Sequence, residues 1–157
     1  MFTLCTNLKT AKATTQFTNY DFNSFCNFNG MSLAAGDEGL FELGGNLDNG
    51  QRIDAYFEPI VSSWGTLNAK HIRYFYVGYE CDGELELSLL NQGTKFATYN
   101  IPCPIPNTQL KTRITISKDP AQVYWAFGIG NINGSDFSID EINALFITRN
   151  HGFSQSS

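Results

Sequence analysis

Clustered positive charge is what this chain has least of. Its 157 residues carry 10 Lys and Arg against 15 Asp and Glu, for a net charge of −5 with neutral histidines. Phosphate binding needs cations gathered on one face, where they release counterions. Here Lys111 and Arg113 share one strand pattern and read as a solvated face, so no nucleic-acid partner is expected. Histidine is also scarce, with two residues. His71 opens a strand pattern and His151 lies near the end of the chain, which leaves poor material for a general base. Neither a GxSxG elbow nor a GxxxxGK[ST] loop occurs. Gly128 and Gly130 sit inside a strand pattern with no helix following, so close backbone packing or a bulge explains them better than a dinucleotide loop. These gaps argue against an enzyme and against a bound cofactor.

Two further absences bear on where the chain is made. No apolar run approaches the roughly 20 residues of a membrane helix, and residues 1–9 lack a charged start leading into an apolar core. Synthesis in a cytoplasm without membrane insertion is the expectation. Cys5, Cys26, Cys81 and Cys103 are scattered and form no CxxC pair, so no zinc spacing is present. Without an export signal, four reduced thiols are expected.

What the chain has in abundance is aromatic residues and glycine, with 13 Phe, 7 Tyr and 14 Gly. Together with frequent Asn and no Ala/Glu/Lys/Leu-rich run, this favours strands and turns. Strand patterns recur at intervals of about 10 residues, as in sandwiches and barrels. Ile53, Ala55 and Phe57 alternate with polar residues, and Pro59 marks an edge. Residues 71–80 are bulky on both faces, as in a central strand covered twice. Leu85, Leu87 and Leu89 alternate with polar residues, as do Leu110, Thr112, Ile114 and Ile116. Val123, Trp125, Phe127 and Ile129 form another apolar row, and residues 137–147 close the pattern. Asn49-Gly50 is a strong turn signal. The expected fold is an all-β, antiparallel β-sandwich with an extended N-terminal arm. Residues 1–30 are read as that arm or as short strands, 31–149 as the sandwich, and 150–157 as a flexible tail.

Candidate sites are few. Asp136 and Asp140 flank a strand start and are weak candidates for holding calcium through hard oxygen ligands, against a reading as turn caps. Asp37, Glu38, Glu42, Asp48 and Asp54 could make an acidic rim, but no spacing fixes acid and base roles. Trp64 lies in a loop, where a large aromatic can stack on a sugar, anchor a protein partner or fold back over its own core. The arm carries Phe17, Tyr20, Phe22, Phe25 and Phe28, and left bare they would form an apolar patch. They are expected to cover the domain or a neighbour.

Two resemblances rest on these residues. The closing segment, from Trp125-Ala126-Phe127 to Phe137-Ser138-Ile139-Asp140-Glu141-Ile142, resembles the last strands of jelly-roll carbohydrate-binding modules. This implies a jelly-roll-like fold and carries over no sugar site. A wider pattern is similar to small virion proteins of tailed bacteriophages associated with the tail or baseplate. It includes Asn19-Tyr20, Phe22-Asn23-Ser24, Gly39-Leu40-Phe41, Gly44-Gly45, Gly65 and Tyr124-Trp125-Ala126-Phe127. That likeness implies a non-enzymatic, multi-copy structural component of the virion, docking on other virion proteins in a symmetric assembly. A glycan-binding module for host attachment and a capsid decoration or head-completion protein are the alternatives.

Far-UV circular dichroism of the purified protein should show a β-rich spectrum, and a helix content above about a quarter of residues would overturn the strand assignments as a group.

Overall fold

A computed structural model describes residues 2–6, 14–18, 20–91, 93–117 and 120–148. The tail expected over 150–157, and His151 with it, lies outside them. The described residues form strands and turns with no helix. The chain divides into two compact units, Met1–Gly45 and Asn46–Ser157.

In the first unit, β1 (Phe2–Thr6) pairs antiparallel with β2 (Thr14–Thr18). A separate meander joins β3 (Ser24–Phe28), β4 (Met31–Gly36) and β5 (Gly39–Glu42). Asn29 and Gly30 connect β3 to β4 with φ of 51° and 81°. Two consecutive positive φ values are what a type I′ hairpin turn requires, and they match the twist of the flanking strands. Residue 30 therefore lies in a hairpin turn, and residues 31–35 pair onto 24–28.

The second unit opens with a small hairpin, β6 (Leu47–Asp48) and β7 (Gln51–Arg52). Asn49 and Gly50 turn it with φ of 46° and 79°, as their sequence implies. Seven further strands make two sheets. β8 (Tyr56–Phe57), β10 (Leu85–Asn91), β11 (Thr94–Ile101) and β13 (Ala126–Asn131) form one in the order β11-β10-β13-β8. β9 (Lys70–Cys81), β12 (Leu110–Thr115) and β14 (Phe137–Thr148) form the other in the order β12-β9-β14. Pairing is nested, because β9 with β14 encloses β10 with β13 along the chain. The two sheets face each other as an antiparallel β-sandwich.

Alternation decides which side chains go inside. Phe75, Val77 and Tyr79 project from β9, Leu85, Leu87 and Leu89 from β10, and Phe127 and Ile129 from β13 into one continuous core. Phe75 meets Phe127 edge to face at 4.8 Å between ring centres, joining the two sheets. Trp125 is buried as its register implied. Val123 is not part of that strand. It is half-buried beside two isolated bridges, Ser62 to Trp125 and Lys70 to Gln122. The central strand β9 is fully covered on one face only, since Tyr74 and Tyr76 on the other are half-exposed. Tyr74 there lies under the Arg113 guanidinium at 4.9 Å.

The strand expected around Ile53 and Ala55 is absent, and β8 holds only Tyr56 and Phe57. Asn131 takes the place of a ladder. Its Nδ2 donates to Ile53 O at 2.9 Å, its Oδ1 accepts from Ala55 N at 3.0 Å, and its backbone N donates to Ala55 O at 3.0 Å. One amide thus satisfies backbone groups that a strand would otherwise have to pair. Gly130 matters at the same place, because a Cβ there would stand 3.4 Å from Ala55 O. Close backbone approach is the role of this glycine.

Phe127→Ala removes the ring that bridges the sheets and should destabilise the protein by about 3–5 kcal/mol in urea titration. A loss under about 1 kcal/mol would contradict the core assignment.

Candidate partner-binding surface

The first unit gathers the aromatic residues of the N-terminal region around Tyr20. Phe17 stacks on it at 5.3 Å, Phe25 stacks at 5.9 Å, and Phe22 meets it edge-on at 4.8 Å. Phe22 also contacts Phe25 at 6.0 Å and Phe41 of β5 at 5.4 Å. The segment from Tyr20 to Asn23 is fixed by local polar contacts. Thr3 Oγ1 donates to Tyr20 O at 3.1 Å, and Asn23 N donates to Ala35 O at 2.8 Å. Gly36 allows this, since a Cβ there would lie 2.9 Å from Asp21 O.

Ring contacts of this kind add to area burial, and they leave Tyr20, Phe22 and Phe41 half-buried while the outer rings remain exposed. Phe17 is 42% exposed, Phe25 58% and Phe28, which ends the same strand as Phe25, 66%. Leu4 and Leu40 are also exposed. Among the described residues of this unit, Ala34 alone is buried. A unit of about this length is near the size at which a core alone becomes marginal. Four of the five arm aromatics named from sequence are brought together in ring contact, and the fifth, Phe28, is mostly exposed at the end of β3.

Trp64, the remaining sequence candidate, belongs to the second unit and lies over its own core. It sits in a turn with Gly65, at φ of 48° and 81°. Its ring centre is 5.8 Å from Phe127 and 5.7 Å from Phe146, and its Nε1 points to Trp125 O at a long 3.5 Å. Of the three readings its sequence allowed, the geometry is that of folding back, because the bridge between Ser62 and Trp125 carries the loop onto the sandwich.

Sequence reasoning missed the residue that organises this end. Lys70, the first residue of β9, is fully buried. Its Nζ donates to Thr66 O at 2.9 Å and Val123 O at 2.7 Å, and it stands 5.7 Å from the centre of the Phe146 ring. Its backbone exchanges hydrogen bonds with Gln122, and its carbonyl accepts from Trp125 Nε1 at 3.2 Å. Burial holds its pKa below the usual lysine value. A lysine at a strand start reads as solvated, and no local pattern announces its burial. Beside it, a shallow pocket of about 350 Å³ is lined by Val61, Leu90, Asn91, Gln122 and Tyr124, with Gln122 Nε2 buried and without a hydrogen-bond partner.

The carboxylates are spread out. Asp37, Glu38 and Glu42 fall in the first unit, and Asp48 and Asp54 in the second. Asp136 and Asp140 are exposed, and the Asp136 N–H is capped by Asp82 Oδ1 at 2.8 Å. Among the described residues, no group of three or more His, Cys, Asp or Glu is placed to hold a metal ion. Lys95 pairs with Glu86, and Lys111 with Glu141 at 2.9 Å. Each lysine's hydrogen bond holds its partner carboxyl below the ordinary range. His71 is half-buried on β9, opposite Ile147. Compared with models of protein families, with curated proteins and with solved structures, the chain matches none.

Lys70→Met would leave the Thr66 and Val123 carbonyls without their donor and should cost about 2–4 kcal/mol in urea titration. The sign of its pH dependence follows from the lowered pKa: the unfolded chain holds this proton more tightly, so the wild type gains stability as pH rises from the folded value towards about 10.4. The difference between wild type and Lys70→Met should therefore widen over that window, and a constant difference would show that the ammonium is not strained by burial.

Proposed function

We propose that this chain is a non-enzymatic structural subunit of a bacteriophage particle, of the tail or tail-tip kind its sequence resembles, and that the aromatic face of the first unit docks on neighbouring virion subunits. The observation that carries this reading is the contrast between the units. The second holds a closed core with Phe75, Val77, Leu85, Leu87, Leu89 and Ile129 at 0% exposure. The first leaves Phe25, Phe28 and Leu40 mostly exposed, and among its described residues Ala34 alone is buried. Apolar area removed from water contributes about 25 cal/mol per Å², so covering such side chains contributes roughly 1.5–3 kcal/mol each.

Charge and chemistry support the same reading. A net charge of −5 without clustered cations favours protein over nucleic acid as partner. A host-glycan platform at Trp64 is the weaker reading, since that ring is already laid over Phe127 and Phe146.

Phe25→Ser and Phe28→Ser, made together, test the proposal. Both side chains are mostly exposed, so the unfolding free energy from urea titration should fall by no more than about 1–3 kcal/mol, the worth of the two ring contacts that Phe25 makes. Incorporation into particles, measured by complementing a phage deleted for the gene, should fall by tenfold or more, the loss typical of anchor residues. Normal incorporation of the double variant, or incorporation lost only through a Trp64→Ala variant that no longer binds host glycans, would overturn it.

A further inference from the structure

Cys81 at the end of one sheet and Cys103 in the crossover that leaves the other meet at one end of the sandwich. Cys81 ends β9, and Cys103 follows the end of β11 by two residues. The chain around Cys103 is held against β9 by three hydrogen bonds. The Cys103 thiol donates to Cys81 O at 3.3 Å, Asn107 N donates to the same oxygen at 2.8 Å, and the Tyr79 hydroxyl donates to Pro102 O. That bond places the Cys103 sulfur directly beside residue 81, and both cysteines are free. A disulfide needs side chains that already face each other over a short span. We propose that Cys81 and Cys103 form a latent disulfide site, which a small disulfide such as oxidised glutathione converts into a covalent staple between the two sheets.

The two cysteines have unequal access, and this sets the order of steps. Cys103 is half-buried between Pro102 and Pro104, whereas Cys81 is buried. The Cys103 thiolate attacks one sulfur of oxidised glutathione, the glutathione S–S bond breaks, and one glutathione thiolate leaves and takes up a proton. Cys81 then gives up its proton and attacks Cys103 Sγ, displacing the second glutathione. Two protein thiols are oxidised and one glutathione disulfide is reduced to two thiols. Burial first, and then the neighbouring Cys103 thiol, push the Cys81 thiol up to about 12. Thiolate is the nucleophile, so closure is the slow step and speeds up with pH. In a reducing cytoplasm the pair stays open, and in an oxidising medium it closes. The staple would enclose β10 and β11 in one covalent loop, which restricts the unfolded chain. This inference is independent of the virion proposal.

The exposed Cys5 and Cys26 would compete for oxidant, so the test uses the full chain carrying Cys5→Ser and Cys26→Ser. The reduced protein is incubated with oxidised glutathione at mildly alkaline pH, alkylated under denaturing conditions and mapped by mass spectrometry. A Cys81–Cys103 linked peptide is expected, with a melting temperature raised by roughly 5–10 °C and restored by dithiothreitol. Closure should accelerate about tenfold per pH unit, following the Cys81 thiolate fraction. Adding Cys103→Ser should leave the reduced melting temperature within about 3 °C and abolish the rise. Both thiols alkylated after oxidation, arrest at a glutathione adduct on Cys103, or a link that brings no rise in melting temperature would each overturn the proposal.

Discussion

Phe75 and Phe127 lie edge to face at 4.8 Å across the interior of the second unit, and the rest of that unit is arranged around this contact. It joins the middle strand of the three-stranded sheet to an inner strand of the four-stranded one. Around it, Val77, Leu87, Leu89 and Ile129 fill the space between the inner faces with no exposure. Strand alternation then leaves the opposite faces to half-exposed tyrosines and to the Lys95–Glu86 and Lys111–Glu141 pairs. Such exposed pairs contribute little to stability, and the apolar contact contributes most of it.

The two ends of the sandwich are closed by different chemistry. At one end Lys70 stands inside as a buried ammonium, and two separate stretches of chain, at Thr66 and at Gln122 to Trp125, converge on it. A charge in that position has a desolvation cost, offset by two carbonyl bonds and the face of Phe146. Trp64 covers the same region from outside. At another corner, Cys81 and Cys103 meet where the 102–107 crossover returns to β9. The prolines there remove donors, so the crossover depends on the few bonds that Cys81, Tyr79 and Asn107 supply.

The first unit follows the same strand rules without the same result. Its hairpins are well specified, yet five short strands in two sheets bury one alanine among the described residues. Its aromatic rings contact one another and still face water. That combination is unusual for a free-standing unit and ordinary for a surface that is covered on association.

Residue patterns alone determined the all-β class and most of the core. Leu85, Leu87 and Leu89 alternate so regularly that only one face of β10 can be interior, and Asn49-Gly50 requires the turn it makes. Asn29-Gly30 makes a turn of the same kind, and residues 24–35 form a hairpin where the sequence allowed either an extended arm or short strands. Tertiary structure decided what depends on distant partners. Ile53 and Ala55 alternate like a strand, but their hydrogen bonds go to Asn131. Trp64 could have faced solvent, and Phe127 and Phe146 take it instead. The burial of Lys70 and the meeting of Cys81 with Cys103 leave no trace in local periodicity, because each depends on segments brought together only when the sheets close over the core.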